Sequence, residues 1–181
     1  MMLKTDRLLM REMTEADFDA IYRILGDEQT MYAYEHAFSP QEAKDWMAKQ
    51  FRNYEKYGYG LWAVILKESG ELIGQCGLTR QLCGDYGEVL EVGYLFNRDF
   101  WHHGYATEAA SACKQYAFDV LGAEEVYSII RDNNFASQHV AERNGMQRCG
   151  SFVKHYYGID MPHYVYCVKR SDKNSQTRRS V

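Results

Sequence analysis

The chain holds only two prolines in 181 residues, and neither internal repeats nor low-complexity blocks interrupt it. A long disordered linker is therefore not expected. No apolar run approaches the roughly 20 residues that a membrane-spanning helix needs. The opening Met1-Met2-Leu3-Lys4-Thr5-Asp6-Arg7 lacks the apolar stretch of a secretory signal. Both absences predict a soluble, cytoplasmic protein with no membrane partner. The five cysteines (Cys76, Cys83, Cys113, Cys149 and Cys167) are odd in number and form no C-x-x-C pair. Neither a disulfide framework nor a zinc site is expected, and free thiols are the plainer reading. His102 and His103 are adjacent and have no carboxylate at a ligand spacing, so no metal is expected there. Two nucleotide fingerprints are also missing, G-x-G-x-x-G and G-x-x-x-x-G-K-[ST].

What the chain does have is apolar and aromatic material. It is 46% hydrophobic, with 15 Tyr, 8 Phe and 3 Trp, enough for the core of one domain. Net charge is −4, unevenly spread. Residues 169–181 carry five basic side chains and one acid. Taking these from the totals of 21 and 25 leaves 16 basic and 24 acidic residues, a body of −8. An acidic body suits an amine-bearing acceptor better than nucleic acid, although plain solubility accounts for the same excess. The polar, aperiodic 169–181 segment reads as a disordered tail behind a single domain over 1–168.

Along the chain, Arg7 to Glu12 reads as a first strand. Thr14-x-x-Asp17 opens a helix to about Ile24 as a capping box. Ser39-Pro40-Gln41-Glu42 is a fuller start signal, with N-cap serine, proline in the first turn and glutamate at the third position. Ala43, Met47, Phe51 and Tyr54 follow at helical spacing, and Gly58 ends that helix. Strands are predicted over 61–66, 72–79, 88–96, 126–130, 146–156 and 163–168, and helices over 104–121 and 136–143. Strands and helices intermixed in this way predict a mixed α/β sheet with helices packed on it.

The most informative stretch is strand, loop, helix: Val92 to Phe96, then Asn97 to His103, then Gly104-Tyr105-Ala106-Thr107-Glu108-Ala109. A helix start offers unpaired N–H groups and the positive end of the helix dipole, which suits a pyrophosphate without any metal or lysine. Small residues at 104 and 106 let the backbone approach the phosphates. On these grounds alone an ordinary turn remains the commoner reading.

The wording of the segment adds more. Trp101-His102-His103-Gly104-Tyr105-Ala106-Thr107-Glu108-Ala109 resembles the acetyl-CoA pyrophosphate loop of GNAT N-acetyltransferases, [QR]-x-x-G-x-[GA], with Trp101 where Gln or Arg is usual. That replacement is similar to the branch that acetylates ribosomal-protein N-termini. Thr5-Asp6-Arg7-Leu8-Leu9-Met10-Arg11 is similar to that branch's opening T-x-R-L-x-L-R, and Leu72 to Leu78 is similar to its third strand. The Asn134-Phe135-Ala136-Ser137 and Val140-Ala141-Glu142-Arg143-Asn144-Gly145-Met146 segment resembles its N-x-x-S-x-x-V-x-E-[KR]-x-G-[MF]. The likeness extends from about residue 5 to 170.

The resemblance implies a GNAT-like α+β domain: a mostly antiparallel central sheet of about six to seven strands, flanked by about four helices. It implies acetyl-CoA as cosubstrate, no metal, and transfer to a primary amine. The family-favoured acceptor is the α-amine of a protein or peptide N-terminus. A polyamine, an aminoglycoside-like amine or a non-catalytic acyl-CoA sensor are the competing readings, and the protein is expected as a monomer or homodimer. Backbone amides of His102, His103, Gly104, Tyr105, Ala106 and Thr107 would hold the pyrophosphate. Leu95 and Phe96 would pair with the pantetheine like an added strand, Asn134 would contact its arm, and Ser137 would lie near the sulfur. Glu91 is the expected base and Glu88 its alternative. Alternation puts the two on opposite faces unless a bulge near Gly93 intervenes. Ala141 stands where many family members carry an acidic tyrosine, which leaves Ser137 as the proton donor, with Tyr94 and Tyr164 as further possibilities.

Overall fold

A computed structural model describes residues 2–156 and 158–172. Its strands are β1 (Met2–Lys4), β2 (Leu8–Arg11), β3 (Leu61–Leu66), β4 (Leu72–Leu82), β5 (Glu88–Phe96), β6 (Glu125–Arg131), β7 (Gln147–Tyr156) and β8 (Ile159–Lys169). Its helices are α1 (Phe18–Leu25), α2 (Pro40–Tyr57), α3 (Tyr105–Asp119) and α4 (Phe135–Arg143).

The helix starts follow from their sequences. Ser39 Oγ accepts the amide of Glu42, and the Glu42 carboxylate accepts the Ser39 amide at 2.8 Å. That exchange holds the exposed Glu42 carboxyl down to about 2. Before α1, the Asp17 carboxylate accepts the Thr14 amide at 2.7 Å and pairs with Arg11 on β2 at the same distance. The first helix is thereby tied to the sheet.

All the strands form one sheet, in the order β1-β2-β3-β4-β5-β6-β8-β7. Only β5 and β6 are parallel. Eight strands stand where six to seven were expected. The extra one is β1, three residues lying along β2 with Met2 opposite Arg11. Its side chains are at best half-buried, so no alternating pattern announces it.

Two large apolar clusters flank the sheet, with a third, smaller one around Cys83, Val89 and Val165. Ala109, Ala110, Cys113, Ala117 and Phe118 of α3 pack with Val140 and Ala141 of α4 on one face, against Val92 and Phe96 of β5. Ile21 and Leu25 of α1 pack with Ala43 and Met47 of α2 on the other, against Leu61 and Ala63. The register of β4 against β5 runs unbroken from Gly74–Phe96 to Leu82–Glu88. Even-numbered residues of β5 therefore face α3, and odd-numbered ones face α2.

Gly77 is where this sheet tolerates no side chain. A Cβ there would collide with the carbonyl oxygen of Gly60 and lie 2.8 Å from Leu61 Cα. The Gly60 oxygen cannot retreat, because it accepts the Leu78 amide at 3.1 Å. Gly77→Ala is expected to destabilise the fold by about 1–3 kcal/mol, a fall of several degrees in melting temperature. An unchanged melting temperature would contradict this contact.

Order continues a few residues past 168. Lys169 ends β8 opposite Glu125, and residues 170–172 form a single 3-10 turn. The Arg170 amide donates to Glu124 O at 2.8 Å, and its guanidinium also donates to Phe118 O. Basic side chains at the start of the supposed tail thus serve as anchors. The rest of that segment lies outside the described residues.

Candidate functional site

The strands β5 and β6 are in register at a single pair, Glu91 with Tyr127. Past that point the two separate towards their carboxyl ends. Two side chains fill the fork. Ser128 Oγ donates to Val92 O at 2.9 Å, and the Ile129 amide donates to Glu91 Oε1 at 3.3 Å. The fork opens into a cleft of about 580 Å³ between the sheet, α2 and the α1–α2 loop.

Because the β4–β5 register has no bulge, Glu88 and Glu91 do lie on opposite faces. Glu88 is exposed and pairs with Arg80 at 2.7 Å on the α3 side. Glu91 lines the cleft, its second carboxylate oxygen 3.1 Å from Thr79 Oγ1. Burial lifts its carboxyl above the ordinary glutamate range. Lys154, the Ile129 amide, the Thr79 hydroxyl and Lys49 all oppose that rise. A carboxylate held by two donors, yet raised by desolvation, is suited to accept a proton.

The same parity sorts the backbone groups of β5. The Asn97 amide donates to Ile73 O of β4 at 2.9 Å, so odd residues direct their N–H groups at β4. Leu95 therefore points its amide away from the fork, although its side chain lines the cleft. Phe96 and Tyr94 direct theirs into the opening. The Phe96 carbonyl is already taken, accepting Trp101 Nε1 at 2.8 Å. Of the pair read from sequence, Phe96 has a backbone donor on the open side and Leu95 does not. Tyr94 shares the open side by the same parity, which the β4–β5 register sets and the sequence of β5 alone does not.

Trp101 thus buckles the loop back onto the strand end, and the chain then turns sharply. His102 and Gly104 both adopt left-handed backbone, at φ 65° and 80°. The first backbone bond of α3 runs from Glu108 N to Gly104 O at 3.1 Å. The amides of Tyr105, Ala106 and Thr107 consequently have no acceptor inside the helix. The side chains of His102 and His103 are exposed, and the His103 ring stacks on Tyr105.

This turn is braced from the N-terminus of the chain. Arg7 Nη1 donates to His103 O at 3.0 Å, and its guanidinium lies 4.5 Å over the Tyr105 ring. Arg7 Nε and Thr5 Oγ1 both donate to Glu108, at 2.7 and 2.6 Å. The opening Thr5-Asp6-Arg7 segment and the helix-entry Glu108 were noticed in the sequence only as separate words. The structure joins them into one clamp around the loop. The clamp also neutralises a carboxylate that would otherwise repel an anion at this helix end.

Asn134 caps α4, its Oδ1 accepting the Ser137 amide at 3.1 Å and the Tyr32 hydroxyl at 2.7 Å. Both Asn134 and Ser137 line the cleft. The Ser137 hydroxyl meets no hydrogen-bond partner among the described residues. Ala141 is buried in the α3–α4 core. The Tyr94 phenol crosses to α4 and donates to Ser137 O at 2.8 Å, and burial holds its pKa well above the usual range. Glu91, Leu95, Asn134 and Ser137 line one cleft, and the 102–107 turn follows Trp101, which is bonded to the end of β5 at Phe96 O.

The family described as acetyltransferase (GNAT) domain matches residues 7–147. The uncharacterized protein YkkB of Bacillus subtilis (strain 168) is 36% identical over 145 residues, 80% of this chain and 84% of that one. The uncharacterized N-acetyltransferase YnaD of the same organism is 32% identical over 157 residues, 85% and 87%. Among solved structures, an acetyltransferase (GNAT family) from Bacillus anthracis superposes with a TM-score of 0.81 at 25% identity, covering 94% of this chain and 99% of that one. The chain belongs to the GNAT acetyltransferase family. It is an acyltransferase of a family that uses acetyl-CoA as its acetyl donor.

Proposed function

We propose that this protein transfers acetyl from acetyl-CoA to a primary amine, with the α-amine of an N-terminus as the favoured acceptor, and that Glu91 is the general base. The observation that carries the reading is the position of Glu91. It is a half-buried carboxylate, raised by desolvation, at the point where β5 and β6 part.

The residues present fit the cosubstrate. The free amides of Tyr105, Ala106 and Thr107 and the left-handed turn through His102, His103 and Gly104 would receive its pyrophosphate. The outward amides of Tyr94 and Phe96 would pair with the pantetheine arm, and Leu95 would line its path with a side chain. Asn134, already fixed by Tyr32, would face the same arm. Acetyl-CoA supplies the acetyl group as a thioester. An outward amide of β5 would meet the carbonyl oxygen as negative charge develops there.

Glu91 would take a proton from the acceptor's ammonium through a water, leaving a neutral amine to attack. An α-amine has a pKa near 8, against about 10.4 for lysine, so it demands little from its base. As the nitrogen–carbon bond forms and the carbon–sulfur bond breaks, the thiolate needs one proton. We assign its delivery to the Ser137 hydroxyl, which gives one proton to the sulfur and takes up the one that the nitrogen sheds as the amide forms.

The test is release of free thiol from acetyl-CoA with a panel of amines. Turnover with an α-amine is expected, and binding without turnover across the panel would mark a sensor instead. A thiolate with a pKa near 8.5 leaves with little help. Ser137→Ala should therefore lower kcat only about tenfold, below the usual general-acid range. A change confined to the KM for acetyl-CoA would make Ser137 a binding residue.

A further inference from the structure

The chain is acidic overall, yet the cleft wall around Glu91 is not. Pairing across the sheet places Glu91, Tyr127, Ile129 and Arg131 on one face with His163, Met161 and Lys154, through Arg131–His163 and Lys154–Met161. Lys49 of α2 closes the opposite side. Among the described residues, none of Lys49, Lys154 and Arg131 has an acidic partner within ion-pair distance. Arg131 makes only long bonds, from Nη1 to Tyr32 O at 3.5 Å and Tyr34 O at 3.4 Å. Its Nε is enclosed and unpartnered.

The acids of the cleft are differently placed. Glu42 bonds to Ser39 and His36, Asp45 to Gln41, and Glu91 to Thr79 and Ile129. Glu35 on the loop before α2 also lines the cleft, with an enclosed Oε1 that meets no partner among the described residues. The acids other than Glu91 lie on α2 and the loop before it, whereas on the sheet wall of the cleft Glu91 is the one lining carboxylate and Lys154 and Arg131 are the lining cations. His163 does not change this. Burial holds its imidazole below the usual range, Lys154 and Arg131 push the same way, and its Nδ1 faces the Met161 carbonyl at 2.8 Å.

Resting on the acetyltransferase reading above, we propose that the acceptor carries a carboxylate a few bonds from its reactive amine. That carboxylate would be bound by Lys154, with Arg131 and Lys49 beside it, while the amine addresses Glu91. Lys154 is close enough to Glu91 to act on its carboxyl, yet the two do not form an ion pair. They leave a gap of opposite charges, and a zwitterion presents the complementary pair. A second cationic centre placed beside the reactive amine on this wall would instead meet Lys154 and Arg131.

Two sources can supply this chemistry: a free amino acid, or a peptide whose first residue is acidic. Matched pairs separate them. Alanine is compared with alaninamide, and an Asp-Ala-Ala-amide peptide with its Asn-Ala-Ala-amide counterpart. In at least one pair, thiol release should favour the carboxylate member by about ten- to a hundredfold in kcat/KM. The pair showing the preference identifies the source. Lys154→Gln should erase that preference by raising KM for the carboxylate member, leaving KM for its amide partner unmoved. Any shift of the pH profile caused by the loss of Lys154 beside Glu91 should appear with both members alike. Equal use of both members in both pairs, a preference for the amides, or an equal KM loss in Lys154→Gln would overturn the proposal while leaving the acetyltransferase reading standing. Failure of every amine to release thiol would overturn both.

Discussion

Glu91→Gln is expected to lower the rate at saturating substrates by about a hundredfold, the low end of general-base effects. Acetyl-CoA affinity should barely change. The low end applies because an α-amine is already partly neutral near pH 7. The pH profile separates a lost base from a damaged fold. Glu91 works as the carboxylate, so wild-type activity should fall as pH drops through its raised pKa. Without the base, the rising limb should move upward, towards the acceptor amine's own pKa. Stability should respond in the opposite sense. A carboxyl whose folded pKa lies above its unfolded value penalises the fold most above the folded pKa, and the penalty vanishes below the unfolded one. The neutral amide removes that penalty at neutral pH; its oxygen can accept the Ile129 amide while its NH2 donates to Thr79 Oγ1. The variant should melt no lower than wild type while turning over far more slowly. A variant that kept full rate and profile would exclude Glu91 as the base.

Gly104→Val is expected to weaken acetyl-CoA binding by about five- to thirtyfold. The protein itself leaves room, since an added Cβ would meet only Arg7 Nη2 at 3.6 Å, an ordinary contact. The loss comes from conformation. Gly104 sits at φ 80°, and an L-residue held there costs about 1–2 kcal/mol, which corresponds to that range of affinity. A β-branched residue would relax the turn and misdirect the amides of residues 105–107. Calorimetry that found the same dissociation constant for both proteins would remove the pyrophosphate from this turn.

Local chemistry in the sequence reached the features that depend on neighbours along the chain. Ser39, Pro40 and Gly58 bounded α2 closely, because caps and helix breakers act within one turn. The turn at Gly104 was legible for the same reason. Simple alternation placed Glu91 and Glu88 on opposite faces, and the unbroken β4–β5 register kept them there. Features set by pairing between distant segments were not legible. Which way the Leu95 amide points depends on β4, not on β5. Arg7 and Glu108 are a hundred residues apart in the chain, and nothing near either one predicts their ion pair. Lys154 and Arg131 lie on β7 and β6, and only the intervening β8 brings them to the same wall.

The lone pairing of Glu91 with Tyr127 makes the sheet two leaves, β1 to β5 and β6 to β8, sharing a short seam. Ordinary sheets gain cohesion by ladder hydrogen bonds along their full length, and here most of that ladder is missing where the leaves meet. A cosubstrate lying in the fork would touch both leaves and act as the absent rungs. Folding and occupancy would then be thermodynamically linked. Saturation at a hundred times the dissociation constant would add about 2.7 kcal/mol to global stability. The supply of acetyl-CoA would thus set how long the protein survives as well as how fast it works.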